Sequence, residues 1–92
     1  MSTEDTFADR LAWLLDKSGC GSRKLGQLTG LSHAYASVTI GRGGNEPALY
    51  VLNKIAELFG VSVLWLGLGQ GARPKASEVK RAYEKAAARK AA

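Results

Sequence analysis

The chain has a single cysteine and a single histidine, and that scarcity excludes several function classes at once. Cys20 alone cannot close an intramolecular disulfide, and Cys20 with His33 cannot supply the three or four ligands of a metal site within one chain. None of the eight carboxylates stands in a pattern with His33 that would make a catalytic dyad or triad. The chain is therefore expected not to be an enzyme, and to need neither a metal nor a cofactor. Long apolar runs are missing too. The apolar stretch 61–68 falls far short of the roughly 20 residues that a membrane helix needs, and the N-terminus does not resemble a secretory signal. No membrane partner and a reducing cytoplasmic setting are expected. Finally, no segment alternates apolar and polar residues at period two, so no strand is expected.

What is present suits one small helical domain. Ninety-two residues at 46% hydrophobic content can bury one core without staples. The net charge of +5 is unevenly placed: residues 1–72 carry six basic and six acidic side chains, whereas residues 73–92 carry seven basic against two acidic. A basic extension beside a neutral domain suggests a polyanion partner, although solubilising tails look the same.

Along the chain, Phe7, Leu11, Leu14 and Leu15 follow the spacing of a helix buried on one side, predicting a first helix over about 5–17. Glycines at 19 and 21 end it. Over 22–41 the sequence SRKLGQLTGLSHAYASVTIG reads as two short helices around a glycine turn, the pattern of a DNA-reading helix-turn-helix. Ser22 is expected to cap the first, with Leu25 and Leu28 inward; Gly30 supplies a positive φ, and Ser32 is expected to cap the second. Tyr35, Ala36 and Thr39 or Ile40 face inward. Residues 41–45 read as a loop, and Pro47 fits the first turn of a helix over 48–59 with Leu49, Leu52, Ile55, Ala56 and Phe59 on one face. Gly60 ends it, Ser62 caps a short last core helix through Leu66, and 67–74 is a linker. Residues 77–92 are rich in helix formers with a thin stripe of Val79, Tyr83 and Ala86 or Ala87, a helix that is marginal in isolation and needs a partner. Phe7, Phe59 and Trp65 are expected in the core; Trp13 and Tyr50 lie off the main stripes and suit either a core edge or a subunit contact.

These residues resemble the lambda-repressor/Cro-like (XRE-type) helix-turn-helix family. The likeness rests on the amphipathic helix 7–15, on LxxLTGLS over 25–32, and on a helix after Pro47 ending in KIAELFGVSxxWL over 54–66; it covers roughly residues 5–71. Gly26 stands where members generally carry Ala. The resemblance implies an all-α, five-helix lambda-repressor-like DNA-binding domain over 1–71, with a basic extension over 72–92 that forms a possible sixth C-terminal helix. It also implies a sequence-specific double-stranded DNA-binding transcriptional regulator, a phage-type or bacterial repressor acting as a homodimer on a two-fold operator.

In such motifs the start of the second helix enters the major groove. The resemblance thus points to Ser32, His33, Ala34, Ser37 and Val38 as the reading surface, with Arg23, Lys24, Gln27 and Arg42 supplying phosphate clamps and some base contact from the rim. No Arg, Lys, Asn or Gln falls within 31–41 to make a bidentate base pair contact; small side chains can still touch thymine methyls. His33 reads either as a base or phosphate contact or as an exposed helix-start residue without a role. Cys20, flanked by glycines, is expected to be fairly exposed. The glycine clusters lack the Lys-Ser/Thr of a nucleotide loop and read as turns. Two alternatives stay open: the antitoxin of a toxin-antitoxin pair whose extension binds a partner protein, and an interaction module that has lost DNA reading. For the extension itself, DNA contact, packing on the core and subunit pairing are all available, and the four-residue spacing of Val79 and Tyr83 favours packing.

Overall fold

The structure is a computed structural model and describes residues 6–32, 34–41 and 47–91. The described residues contain six helices and no strand. They are α1 (Phe7–Ser18), α2 (Ser22–Thr29), α3 (Tyr35–Gly41), α4 (Leu49–Phe59), α5 (Val63–Leu68) and α6 (Ala76–Ala91).

Local chemistry sets most of the boundaries. The Thr6 hydroxyl accepts from the Asp9 amide at 3.1 Å, starting α1, and Gly19 at φ 77° closes it by donating to the Leu15 carbonyl. The helix therefore begins two residues later than the apolar spacing alone implied. Ser22 is not the cap of α2. Gly21 holds that position in extended backbone, and its carbonyl takes the Leu25 amide at 2.9 Å, so Ser22 becomes the first helical residue. Gly30 has the expected left-handed conformation, φ 80°. Helix α3 starts at Tyr35 rather than directly after Ser32, because the Tyr35 amide first closes a turn onto the Ser32 carbonyl at 3.1 Å. At its far end Gly41, expected in a loop, is the last helical residue; the remainder of that loop, 42–45, lies outside the described residues. Pro47 likewise stands two residues ahead of α4, whose N-cap is Ala48. Ser62 caps α5 as expected, accepting from the Leu64 and Trp65 amides at 3.1 and 3.4 Å.

The core is one cluster fed by every helix. Phe7, Leu11 and Leu14 of α1, Leu25 and Leu28 of α2, Ala36 of α3, Ile55 and Phe59 of α4, Trp65 and Leu66 of α5 and Val79 of α6 are all buried. On α4 the buried set differs from the expected stripe. Val51 and Leu58 are buried, while Leu49 is 67% exposed. The helix is gripped by α2, α5 and α6, so its covered arc is wider than a single stripe, and Leu49 at the first turn falls beyond that cover.

Helix α6 completes the core. It packs on α1 and α4, Val79 is fully buried, and the Tyr83 ring stacks on Phe59 with centroids 6.1 Å apart. Two glycines stand at close approaches. A Cβ on Gly60, already at φ 65°, would lie 3.1 Å from the Ala82 Cβ of α6, and one on Gly67 would meet the Leu52 side chain at 2.8 Å. At Gly60 the left-handed backbone itself disfavours a side chain, whereas at Gly67 the end of the Leu52 side chain would have to move aside.

Arg10 is the buried charge of this core. It is 5% exposed; its Nε donates to the Leu66 carbonyl at 2.7 Å and its Nη2 to the Gly67 carbonyl at 3.1 Å. A guanidinium thus satisfies carbonyls in the last turn of α5, where the helix dipole also favours a cation. Nearby, Trp13 meets Trp65 edge-on at 5.8 Å, and the Arg73 guanidinium sits 5.1 Å from the Trp13 ring centroid. Trp13 therefore covers a core edge and pins the linker to α1.

Candidate nucleic-acid interface

Helices α2 and α3 carry the expected reading surface, and their inward residues anchor it. Leu25 and Leu28 are buried on one face of α2, which leaves Arg23, Lys24 and Gln27 exposed on the other. The turn is fixed by Thr29, a residue that the sequence pattern did not single out. Its buried hydroxyl donates to the Leu25 carbonyl at 2.6 Å and accepts from the Leu31 amide at 3.3 Å. One side chain thereby ties the last turn of α2 to the chain beyond Gly30. The visible signal was a Thr before Gly, a residue type able to bond both ways to nearby backbone.

Beyond the turn, Ser32 and Ala34 are exposed, Ala36 is fully buried, and Val38 is 47% exposed. Helix α3 is thus held by Ala36 with Tyr35, Thr39 and Ile40 partly covered, while its other side faces solvent. Ser37 lies within α3, and His33 and Arg42 lie outside the described residues. Of the nine residues expected to contact DNA, Arg23, Lys24, Gln27, Ser32, Ala34 and Val38 face solvent on α2, the turn and α3.

The exposed surface is cationic at its α2 edge. No acidic residue lies in the first turn of α2, and among the described residues the ion pair present is Lys17 with Asp16, at 3.5 Å. Among the described residues, no acidic side chain forms an ion pair with Arg23 or Lys24. Beside them Cys20 is buried at 4% exposure, contrary to the exposed thiol expected from its flanking glycines. Helix α6 closes on it, since Val79 and Tyr83 join the same apolar cluster; the thiol donates to the Gly21 carbonyl at 3.4 Å, and burial pushes it above its ordinary pKa, with Tyr83 and Lys24 opposing that rise. Burial raises the Tyr83 and Tyr35 phenols as well. Among the described residues no group of three His, Cys, Asp or Glu side chains could hold a metal ion, and no helix is long and apolar enough to cross a membrane.

Comparison with known proteins agrees with this geometry. The chain is 33% identical over 90 residues to an uncharacterized HTH-type transcriptional regulator of Haemophilus influenzae. The alignment covers 89% of this chain and 36% of that protein, so the chain spans about a third of its relative's length. No protein-family model and no solved structure matches the chain. The all-helical fold is compatible with a small helix-turn-helix domain, and this relative carries the name of an HTH-type transcriptional regulator.

Proposed function

We propose that the chain binds double-stranded DNA sequence-specifically, in the manner of lambda-repressor/Cro-like repressors, and does so as a homodimer on a two-fold operator. One observation carries this reading: α2 and α3 are locked from behind by Leu25, Leu28, Thr29 and Ala36, while Arg23, Lys24, Gln27, Ala34 and Val38 face outward. A rigid pair of helices with a small, uncrowded outer face can enter a major groove, and its cationic edge can lie on phosphates. Residues 1–71 form the reading unit in this proposal. The extension 72–92 contributes by packing, since its own Val79 is buried in the core.

The salt dependence of binding tests the phosphate contacts. Arg23→Ala and Lys24→Ala should each weaken binding on every duplex and lower the slope of log affinity against log salt by about 1. An unchanged slope would move them off the interface. Selection from random duplexes tests the reading itself: enrichment of a palindrome supports it, and absence of any salt-dependent DNA affinity sinks it in favour of a protein-interaction module.

Exposed apolar residues support the dimer. Leu49, Tyr50, Leu64 and Leu68 are 67, 62, 56 and 65% exposed at the start of α4 and on α5. A two-fold operator requires two recognition helices about one helical turn of DNA apart, ~34 Å, and a self-complementary contact through these residues is the proposed means of holding the pair. Leu64→Glu with Leu68→Glu should convert a dimer into a monomer by sedimentation, with the melting temperature at low concentration nearly unchanged. A wild-type protein that sediments as a monomer at every concentration, on and off DNA, would remove the homodimer from the proposal.

A further inference from the structure

A second surface feature lies away from the outward residues of α2 and α3, where the end of α2, the middle of α4 and the last turns of α6 leave a cleft of about 290 Å³. Its apolar lining is Leu28, Leu58 and Ala86, and its rim carries Lys54, Glu57 and Arg89. Thr29 also borders it, but that hydroxyl is already engaged by the Leu25 carbonyl and the Leu31 amide. The three charged side chains are exposed, and none makes an ion pair with another described residue. Two cations and one carboxylate therefore stand around an apolar floor with their charges uncommitted.

We infer that this cleft binds a free α-amino acid with an apolar side chain. The ligand carboxylate meets Arg89, whose planar fork suits it, with Lys54 adding a second positive charge. The ligand ammonium meets Glu57, and its side chain covers Leu28, Leu58 and Ala86. A simple carboxylate would leave Glu57 repelling it, and a simple amine would leave two cations doing so. A small zwitterion meets charges of both signs. The cleft stands at the lower end of the roughly 300–1,000 Å³ of small-molecule sites, room enough for one amino acid. Because the walls belong to α2, α4 and α6, an occupant would brace the extension against the helix-turn-helix unit.

The inference does not rest on DNA binding, and its test uses the full chain without DNA. Titration with L-phenylalanine and with L-leucine, followed by amide chemical shifts, should give saturable binding on the order of 1 mM, with the shifts centred on Leu28, Leu58 and Ala86. N-acetyl-L-phenylalanine, which lacks the ammonium, and L-phenylalaninamide, which lacks the carboxylate, should each bind about tenfold more weakly. Glu57→Gln and Arg89→Gln should each weaken L-phenylalanine by about fivefold and leave the unliganded melting temperature in place. Absence of saturable shifts at tens of millimolar amino acid overturns the inference. Equal binding of both analogues overturns it as well, and that comparison needs no variant to fold.

Discussion

Deleting residues 73–92 is expected to lower the melting temperature by about 15 °C or more, a far larger change than loss of a solvated tail would cause. The deletion removes Val79, which is fully buried, and the Tyr83 ring stacked on Phe59. It also uncovers the apolar surface that α1 and α4 turn toward α6. Burying one such aliphatic side chain is worth about 1.5–3 kcal/mol. With the exposed core added, the loss should reach about 3–5 kcal/mol, in the range of large core truncations. Val79→Ala should cost about 2 kcal/mol by the same reasoning. Val79→Asp should cost more, since it places a carboxylate among apolar groups without a partner. A second readout is specific to docking. Cys20 is buried in the apolar cluster that Val79 and Tyr83 of α6 join, so its reaction with a thiol reagent should be slow in the full chain and fast after the deletion. The competing role for the extension is purely electrostatic, through its seven basic residues. In that case the salt slope of DNA binding would fall by about 3 to 4, while melting temperature and thiol reactivity stayed as they were.

Replacing Arg10 by Met should be nearly as costly, at about 2–3 kcal/mol, although the new side chain is long and apolar. The guanidinium makes two hydrogen bonds to carbonyls of α5, at 2.7 and 3.1 Å, from a position 5% exposed. Hydrogen bonds from charged groups contribute about 1.5–3 kcal/mol each, and carbonyls left without their donor bear a desolvation cost. Methionine can recover part of the packing of the arginine stem but none of the donation. Lysine should restore only part of the loss, because an ammonium is a point donor and cannot reproduce a fork aimed at two carbonyls. Thermal unfolding of the three proteins at one concentration checks the order Arg, then Lys, then Met. Equal stability of the Met variant would mean that water replaces the guanidinium without penalty.

Much of the fold could be read from residue spacing alone, because helices are specified locally. The heptad-like placement of Phe7, Leu11 and Leu14 identified α1, and all three are buried. Gly30 and Gly60 have the left-handed backbone expected of residues that end helices, and Ser62 donates no ambiguity to the start of α5, since its hydroxyl accepts two amides. Boundaries were less legible. Ser22 and Ser32 are both good caps by type, yet the backbone turns at Gly21 and at Tyr35 decided where α2 and α3 begin. A cap preference of about 1 kcal/mol is too small to override the way a turn is closed by its neighbours.

Spacing and residue type specify an all-helical chain, a glycine-broken helix pair with a cationic first helix, and a C-terminal stripe too thin to stand alone. Each of these follows from spacing along one element or from residue type. Only the tertiary structure decided which way that stripe turned: α6 closed over α1 and α4, buried Val79 and Cys20, and made room beside Leu28 and Leu58 for a charged cleft. The burial of Arg10 under α5, the widened apolar arc of α4 that leaves Leu49 outside, and the double role of Thr29 were decided in the same way. The physical reason is common to all of them. Residues separated by tens of positions meet only once the helices pack, and a charge, a thiol or a leucine has no assigned environment until the opposing surface arrives.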